Sequence, residues 1–162
     1  MLEPGETAPS FTLPGTDGET IDEYSLEEYT NEGAAVLAFY PFDFSPICTE
    51  ELCDFRDVEW LTFTEGVNLF GISTDSAYSH RAFIDEYDLT FPLLSDSLAE
   101  ICEEYGVRYD IWEQHQNVSQ RALFVIDDTQ TVQYAWMTED ALVKPDLSEV
   151  QDAMKSVDIF DS

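Results

Sequence analysis

The stretch that decides the fold is Ala34-Ala35-Val36-Leu37-Ala38-Phe39-Tyr40, followed at once by Pro41-Phe42-Asp43-Phe44-Ser45-Pro46-Ile47-Cys48-Thr49-Glu50-Glu51-Leu52-Cys53. An apolar run without a polar break suits a strand buried on both faces, as in the centre of a parallel sheet. Pro41 carries no N–H and ends the run. A helix is expected from about Pro46 to Phe63. The junction between such a strand and such a helix lies at the carboxyl end of the strand, where sites gather in open α/β sheets. A helix N-terminus presents unpaired N–H groups and positive potential. A cysteine in the first turn, here Cys48, is therefore expected to have its thiolate stabilised and its pKa lowered from about 8.5.

Outward from this junction the elements alternate. On the N-terminal side, SFTLPGTDGETI (Ser10–Ile21) reads as a hairpin turning at Asp17-Gly18, and Ser25 with Glu28 reads as a capping box for a short helix. On the C-terminal side, Val67–Ser73 is a second buried strand and Ser76–Tyr87 a helix. Phe91–Leu94 is a short strand. Ser97 with Glu100 opens another helix, which Gly106 stops. Ala122–Ile126 and Thr131–Trp136 are strands joined by the DDTQ turn, and Leu147–Val157 is a helix after Pro145. The order is hairpin, β, α, β, α, β, α, β, β, α. It describes an α/β domain with parallel crossovers and an antiparallel pair at the end, and it is the order of a thioredoxin-like fold with an N-terminal β-hairpin: a central mixed sheet flanked by helices. No repeat, low-complexity segment or linker divides the chain, so residues 1–162 are expected to form one domain.

The chain has 35 acidic and 6 basic residues, a formal net charge of -29. The acids are spread along the chain rather than gathered in a tail, which suggests adaptation to a very salty cytosol, where screening lengths fall to about 3 Å. Six scattered cations cannot build a basic patch, which argues against nucleic acid or an anionic membrane as partner. No window is apolar enough for a membrane span, and MLEPGETAPSF lacks the pattern of a signal peptide. A cytoplasmic location is expected, and three cysteines in a reducing compartment suit catalysis or burial better than a disulfide framework.

The motif Pro41-x-x-x-Ser45-x-x-Cys48 resembles the peroxiredoxin signature, with Glu51 at a position where that family usually carries Glu or Gln. Arg121 in SQRALFVID stands where the family places an Arg before a late strand. PGETAPSFTL at the start, LTFPLLSD (Leu89–Asp96) and YGV (Tyr105–Val107) are also similar, so the resemblance spans nearly the whole chain. It implies a thiol peroxidase in which Cys48 attacks a hydroperoxide. Ser45 would hydrogen-bond thiolate or peroxide. Pro41 would shield the sulfur from water. Arg121 would favour the thiolate and the charge developing on the peroxide oxygens, and Glu51, one turn beyond Cys48, would orient Arg121. Read alone, Pro41 is also a plain strand stop and Ser45 a plain helix cap. No cofactor or metal is required.

Cys53 lies five residues after Cys48, a spacing at which peroxiredoxins of the bacterioferritin-comigratory-protein type often carry a resolving cysteine. In an intact helix the two side chains point about 140° apart with Cα atoms about 8–9 Å apart, too far for a disulfide, so resolution requires the first turns to unwind. The resemblance thus implies a Cys48–Cys53 disulfide recycled by a thioredoxin- or glutaredoxin-like reductant. An external thiol resolving Cys48 is the alternative within the class, and a non-catalytic thioredoxin-fold binding or holdase module is the alternative outside it. A homodimer rests on resemblance only. Cys102 is expected in the core beside Ile101 or Leu98. His80 and His115 are expected in surface or loop packing, and Arg56 either in a helical ion pair with Asp57 or Glu59 or in a supporting role behind the catalytic residues.

Overall fold

The computed structural model describes residues 1–31, 33–58 and 66–155. In chain order the strands are β1 (Thr12–Thr16), β2 (Ile21–Ser25), β3 (Ala34–Phe39), β4 (Val67–Ser73), β5 (Leu93–Ser95), β6 (Arg108–Trp112), β7 (His115–Ser119), β8 (Arg121–Ile126) and β9 (Val132–Thr138). The helices among the described residues are α1 (Leu26–Thr30), α2 (Pro46–Arg56), α3 (Ala77–Tyr87), α4 (Glu100–Glu104) and α5 (Leu147–Lys155). Seven strands form one sheet in the order β2-β1-β5-β4-β3-β8-β9. Strands β3, β4 and β5 run parallel, while β8 pairs antiparallel with β3 and β9 antiparallel with β8.

Strand β3 is buried along its whole length, and its period of two divides the core between the faces of the sheet. Ala35, Leu37 and Phe39 pack on one face with Tyr105, Phe124 and Ile126. Ala34, Val36, Ala38 and Tyr40 pack on the other with Cys48, Leu52 and Phe55 of α2, Phe83 of α3 and Val150 of α5. Helix α2 thus lies directly over the strand that feeds it. Gly71 in β4 gives Tyr40 room. A Cβ there would meet Leu93 Cδ2 at 2.5 Å and Tyr40 Cε1 at 3.2 Å.

The N-terminal hairpin forms in the expected place, with the Asp17 carboxylate accepting the N–H groups of Glu19 and Thr20 across its turn. Helix α3 is capped by Ser76, whose Oγ accepts from Ser79 N–H, and it ends on Asp88 in the left-handed region (φ 52°).

Several expectations are corrected. Helix α2 ends at Arg56 with Asp57 as its C-cap, not near Phe63; residues 59–63 of that expectation lie outside the described residues. Likewise 156–157 of the final helix lie outside them. Ser25 precedes α1 but its hydroxyl makes no cap. Ser97 does not open α4. Ala99 is the N-cap, at φ 56°, and the Asp96 carboxylate accepts the N–H groups of Ile101 and Cys102. A carboxylate in that role is a stronger acceptor than a hydroxyl. The sequence reading also missed the hairpin β6–β7. Its tip, Glu113-Gln114, has both residues at positive φ, as a type I′ turn requires, but carries neither the Gly nor the Asn that usually marks one.

Candidate active site

Strand β3 hands the chain to Tyr40, whose N–H still donates to the Ile72 carbonyl, and then to buried Pro41. The chain bends at Phe44, a non-glycine residue at φ 65°. That bend is held by the Phe44 ring, which packs on Phe83 and Tyr87 of α3 at centroid distances of 4.9 and 6.4 Å. Helix α2 then begins with Pro46 at its first position, where the missing N–H costs nothing, and Cys48 falls in the first turn.

Arg121, the first residue of β8, reaches Cys48 from the neighbouring strand. Its Nη2 donates to Cys48 Sγ at 3.3 Å. Nε and Nη2 also donate to the Ala141 carbonyl at 3.2 and 2.8 Å, and Nη1 lies 3.3 Å from Glu51 Oε1. The three residues are sealed from solvent: Cys48 and Arg121 are each 1% exposed and Glu51 2%. Charged groups this deeply buried are found paired. The pairing places one cation between a thiol and a carboxyl.

Burial pushes the Cys48 thiol up, against the pull of Arg121, Ser45 and the Phe42 backbone. The expected lowering by a helix N-terminus is therefore not what this arrangement gives. Loss of water around a nearly enclosed sulfur outweighs one guanidinium and the local hydrogen bonds. Burial likewise pushes Glu51 up to about 7, although Arg121 and Lys144 pull the other way. Burial would lower Arg121, but Glu51 and Cys48 hold it above its ordinary value, so its charge is permanent.

Ser45 occupies the N-cap position without capping α2. Its hydroxyl donates to the Phe42 carbonyl at 2.9 Å instead. Cys53 sits further along α2, partly exposed, with its thiol pushed up by burial. Cys48, Cys53 and Cys102 are all free thiols. Cys102 is fully buried beside Ile101 in the face opposite α2, as expected, whereas Leu98 is exposed. Arg56 pairs with Asp57 as expected and also donates to the Tyr87 carbonyl at 2.6 Å. His115 is exposed, as the surface expectation has it, but it begins strand β7 rather than lying in a loop, and its ring meets Phe42 edge-on at 4.8 Å. His80 is not in surface packing: it is fully buried and hydrogen-bonded to Asp43 and Leu94. No group of three metal-binding side chains occurs among the described residues.

Two contributors escaped the sequence reading. One is the segment after β9, which supplies the Ala141 carbonyl and Lys144. The lysine bridges to Glu50 and Asp54 on the outer face of α2 at 2.7 and 2.8 Å. Its signal was the scarcity of lysine, since the chain has only Lys144 and Lys155. The other is the polar network around Asp43, for which spacing gives no signal, because its members come from separate segments of the chain.

The sequence matches the AhpC/TSA family over residues 4–135. It is 38% identical over 138 residues to the peroxiredoxin bcp of Coxiella burnetii, covering 83% of this chain and 88% of that protein. It is also 38% identical over 132 residues to the chloroplastic peroxiredoxin Q of Triticum aestivum, covering 82% of this chain and 58% of that longer protein. Among solved structures, the peroxidoxin BcpB of Mycobacterium tuberculosis is similar with a TM-score of 0.79 at 27% identity, over 100% of both chains. The reduced 2-Cys peroxiredoxin of Plasmodium vivax is similar with a TM-score of 0.82 at 25% identity, over 93% of this chain and 79% of that one. The fold is therefore the thioredoxin-like one that the element order pointed to. With the family matched over residues 4–135 and a relative 38% identical over 83% of the chain, the chain belongs to the AhpC/TSA family and is a peroxiredoxin, a thiol peroxidase.

Proposed function

We propose that Cys48 is the peroxide-attacking thiol, that Arg121, Ser45, Pro41 and Glu51 serve it, and that Cys53 resolves the oxidised product. The observation that carries this is the 3.3 Å contact from the Arg121 guanidinium to Cys48 Sγ, both at 1% exposure. A chain with four arginines among 35 acids has buried one of them against a sulfur. Once the thiol has lost its proton, the thiolate attacks the terminal oxygen of a hydroperoxide. An S–O bond forms, the O–O bond breaks, and the departing alkoxide or hydroxide takes up a proton, leaving a sulfenic acid on Cys48. Arg121 offers its fixed charge where negative charge moves from sulfur to oxygen. Glu51 and the Ala141 carbonyl keep the guanidinium aimed, and Pro41 and Ser45 line the approach.

Cys53 thiolate then attacks the Cys48 sulfur. An S–S bond forms and the sulfenic hydroxyl leaves as water. The intact helix opposes this, so the first turns of α2 must unwind. One feature supports that step: the N-terminus of α2 has no side-chain cap from Ser45. A thioredoxin- or glutaredoxin-like dithiol would recycle the disulfide by exchange. We take residues 1–162 as one domain working in a reducing cytoplasm, with a homodimer as its assembly.

Non-reducing mass spectrometry after treatment with about one equivalent of peroxide tests the route. A Cys48–Cys53 crosslink is expected. A lasting sulfenate, or a mixed disulfide with added thiol and no crosslink, would transfer resolution to an external thiol.

A further inference from the structure

A second polar cluster lies beneath the loop that leads into α2. The Asp43 carboxylate, 1% exposed, accepts from Tyr40 Oη at 2.6 Å and Ser79 Oγ at 2.8 Å, and meets His80 Nδ1 at 2.7 Å. His80 Nε2 lies 2.9 Å from the Leu94 carbonyl, and Tyr40 Oη is 3.4 Å from His80 Nδ1. Asp43 N–H donates to Asp75 Oδ2 at 2.7 Å, and Asp75 accepts from Ser73 Oγ at 2.9 Å. Both ring nitrogens of His80 thus lie within hydrogen-bond distance of an oxygen on a neighbouring segment. The cluster ties β3, α3, the end of β4 and β5 to one residue, Asp43.

Asp43 stands between Phe42 and Ser45, the loop residues whose backbone and hydroxyl pull the Cys48 pKa down, and a hydrogen bond from Ser45 Oγ to the Phe42 carbonyl at 2.9 Å spans it. Loop residues are normally mobile. Here the residue at the centre of the loop makes buried bonds on its carboxylate and its N–H. The downstream side, by contrast, is an uncapped helix end. We propose that Asp43 and His80 are positioning residues for the peroxide reaction, fixing the upstream wall of the Cys48 site, Pro41 to Ser45, while the α2 side is left to move. The inference rests on the reading of Cys48 as the reacting thiol.

A matched pair of substitutions separates positioning from simple folding. In His80→Asn the amide nitrogen replaces Nδ1 and keeps the contact with Asp43. In His80→Gln it replaces Nε2 and keeps the contact with Leu94. Each variant loses one buried hydrogen bond, so a structural role predicts similar melting temperatures and similar rates. The expected result is that single-turnover oxidation of Cys48 by hydrogen peroxide, followed by stopped flow, slows about 10- to 100-fold in His80→Gln. In His80→Asn it is expected to recover to within about threefold of wild type. The thiolate absorbance of Cys48 should titrate at higher pH in His80→Gln, because the Phe42 and Ser45 contacts loosen. Tyr40→Phe, which removes one donor to Asp43 and leaves the packing, should give a smaller change in the same direction and stands in if either His80 variant fails to fold. Equal rates in the two His80 variants, or an unshifted rate and titration in Tyr40→Phe, would overturn the proposal. Failure of the underlying reading would look different: Cys48→Ser would still consume peroxide.

Discussion

Replacing Glu51 by Gln should change how stability depends on pH. Burial raises the Glu51 carboxyl from 4.5 to about 7, in opposition to Arg121 and Lys144. Between those values the folded protein keeps a proton on Glu51 that the unfolded chain gives up. The stability this group contributes is therefore complete below about pH 4.5 and is lost as pH rises through about 7. At about 1.4 kcal/mol per pH unit, the wild-type protein gives up at most about 3.5 kcal/mol. Gln cannot ionise, matches the protonated carboxyl in shape and keeps an oxygen facing Arg121 Nη1. Urea unfolding of both proteins at fixed high KCl from pH 5 to pH 8 reads the difference, and taking that difference cancels the titration of the other carboxylates. The gap in favour of Glu51→Gln should widen by about 1–3 kcal/mol as pH rises. A gap independent of pH, or one that turns against Gln at high pH, would refute the reasoning, because Glu51 would then be an anion held by Arg121 throughout.

The remaining predictions concern the site and the surface. Cys48→Ser should abolish peroxidase turnover in a coupled reductant assay, while Cys102→Ser, which alters a thiol buried on the other face, should leave it nearly intact. Arg121→Met should raise the Cys48 pKa and slow its oxidation by about 10²- to 10³-fold, read by stopped flow across pH; an unchanged profile would make Arg121 a structural residue only. The melting temperature should rise markedly between about 0.1 M and 2 M KCl, because screening of a net charge of -29 must come from solvent ions. A flat or falling melting temperature would remove the reading of the acidic surface as salt adaptation.

The central architecture was legible because β3 and β4 carry apolar residues on both faces and Pro41 marks where β3 ends. The Cys48–Arg121–Glu51 grouping was legible through the motif, since one signature fixes Cys48 and Glu51 on α2 and the late Arg returns on the strand beside β3. What escaped was governed by tertiary contacts. The cap of α4 comes from Asp96, not Ser97, because the buried carboxylate takes two N–H groups at once. The β6–β7 hairpin turns on Glu113-Gln114, which the local chemistry does not favour. His80 reads as an ordinary residue of an amphipathic helix until the fold brings Asp43 from another segment to within 2.7 Å of its ring. The pKa of Cys48 also went the other way, because sequence places the sulfur at a helix N-terminus but does not report how completely its surroundings close over it.

The claim on which the account depends is that Cys48 is the sulfur that takes oxygen from peroxide. Mixing the Cys53→Ser/Cys102→Ser protein with about one equivalent of hydrogen peroxide, trapping with dimedone and mapping the adduct by peptide mass spectrometry tests it most directly. The account predicts a stoichiometric adduct on Cys48 that accounts for the peroxide consumed, with that consumption slowed about 10²- to 10³-fold when Arg121 is changed to Met. Peroxide consumption with Cys48 left unmodified would contradict it.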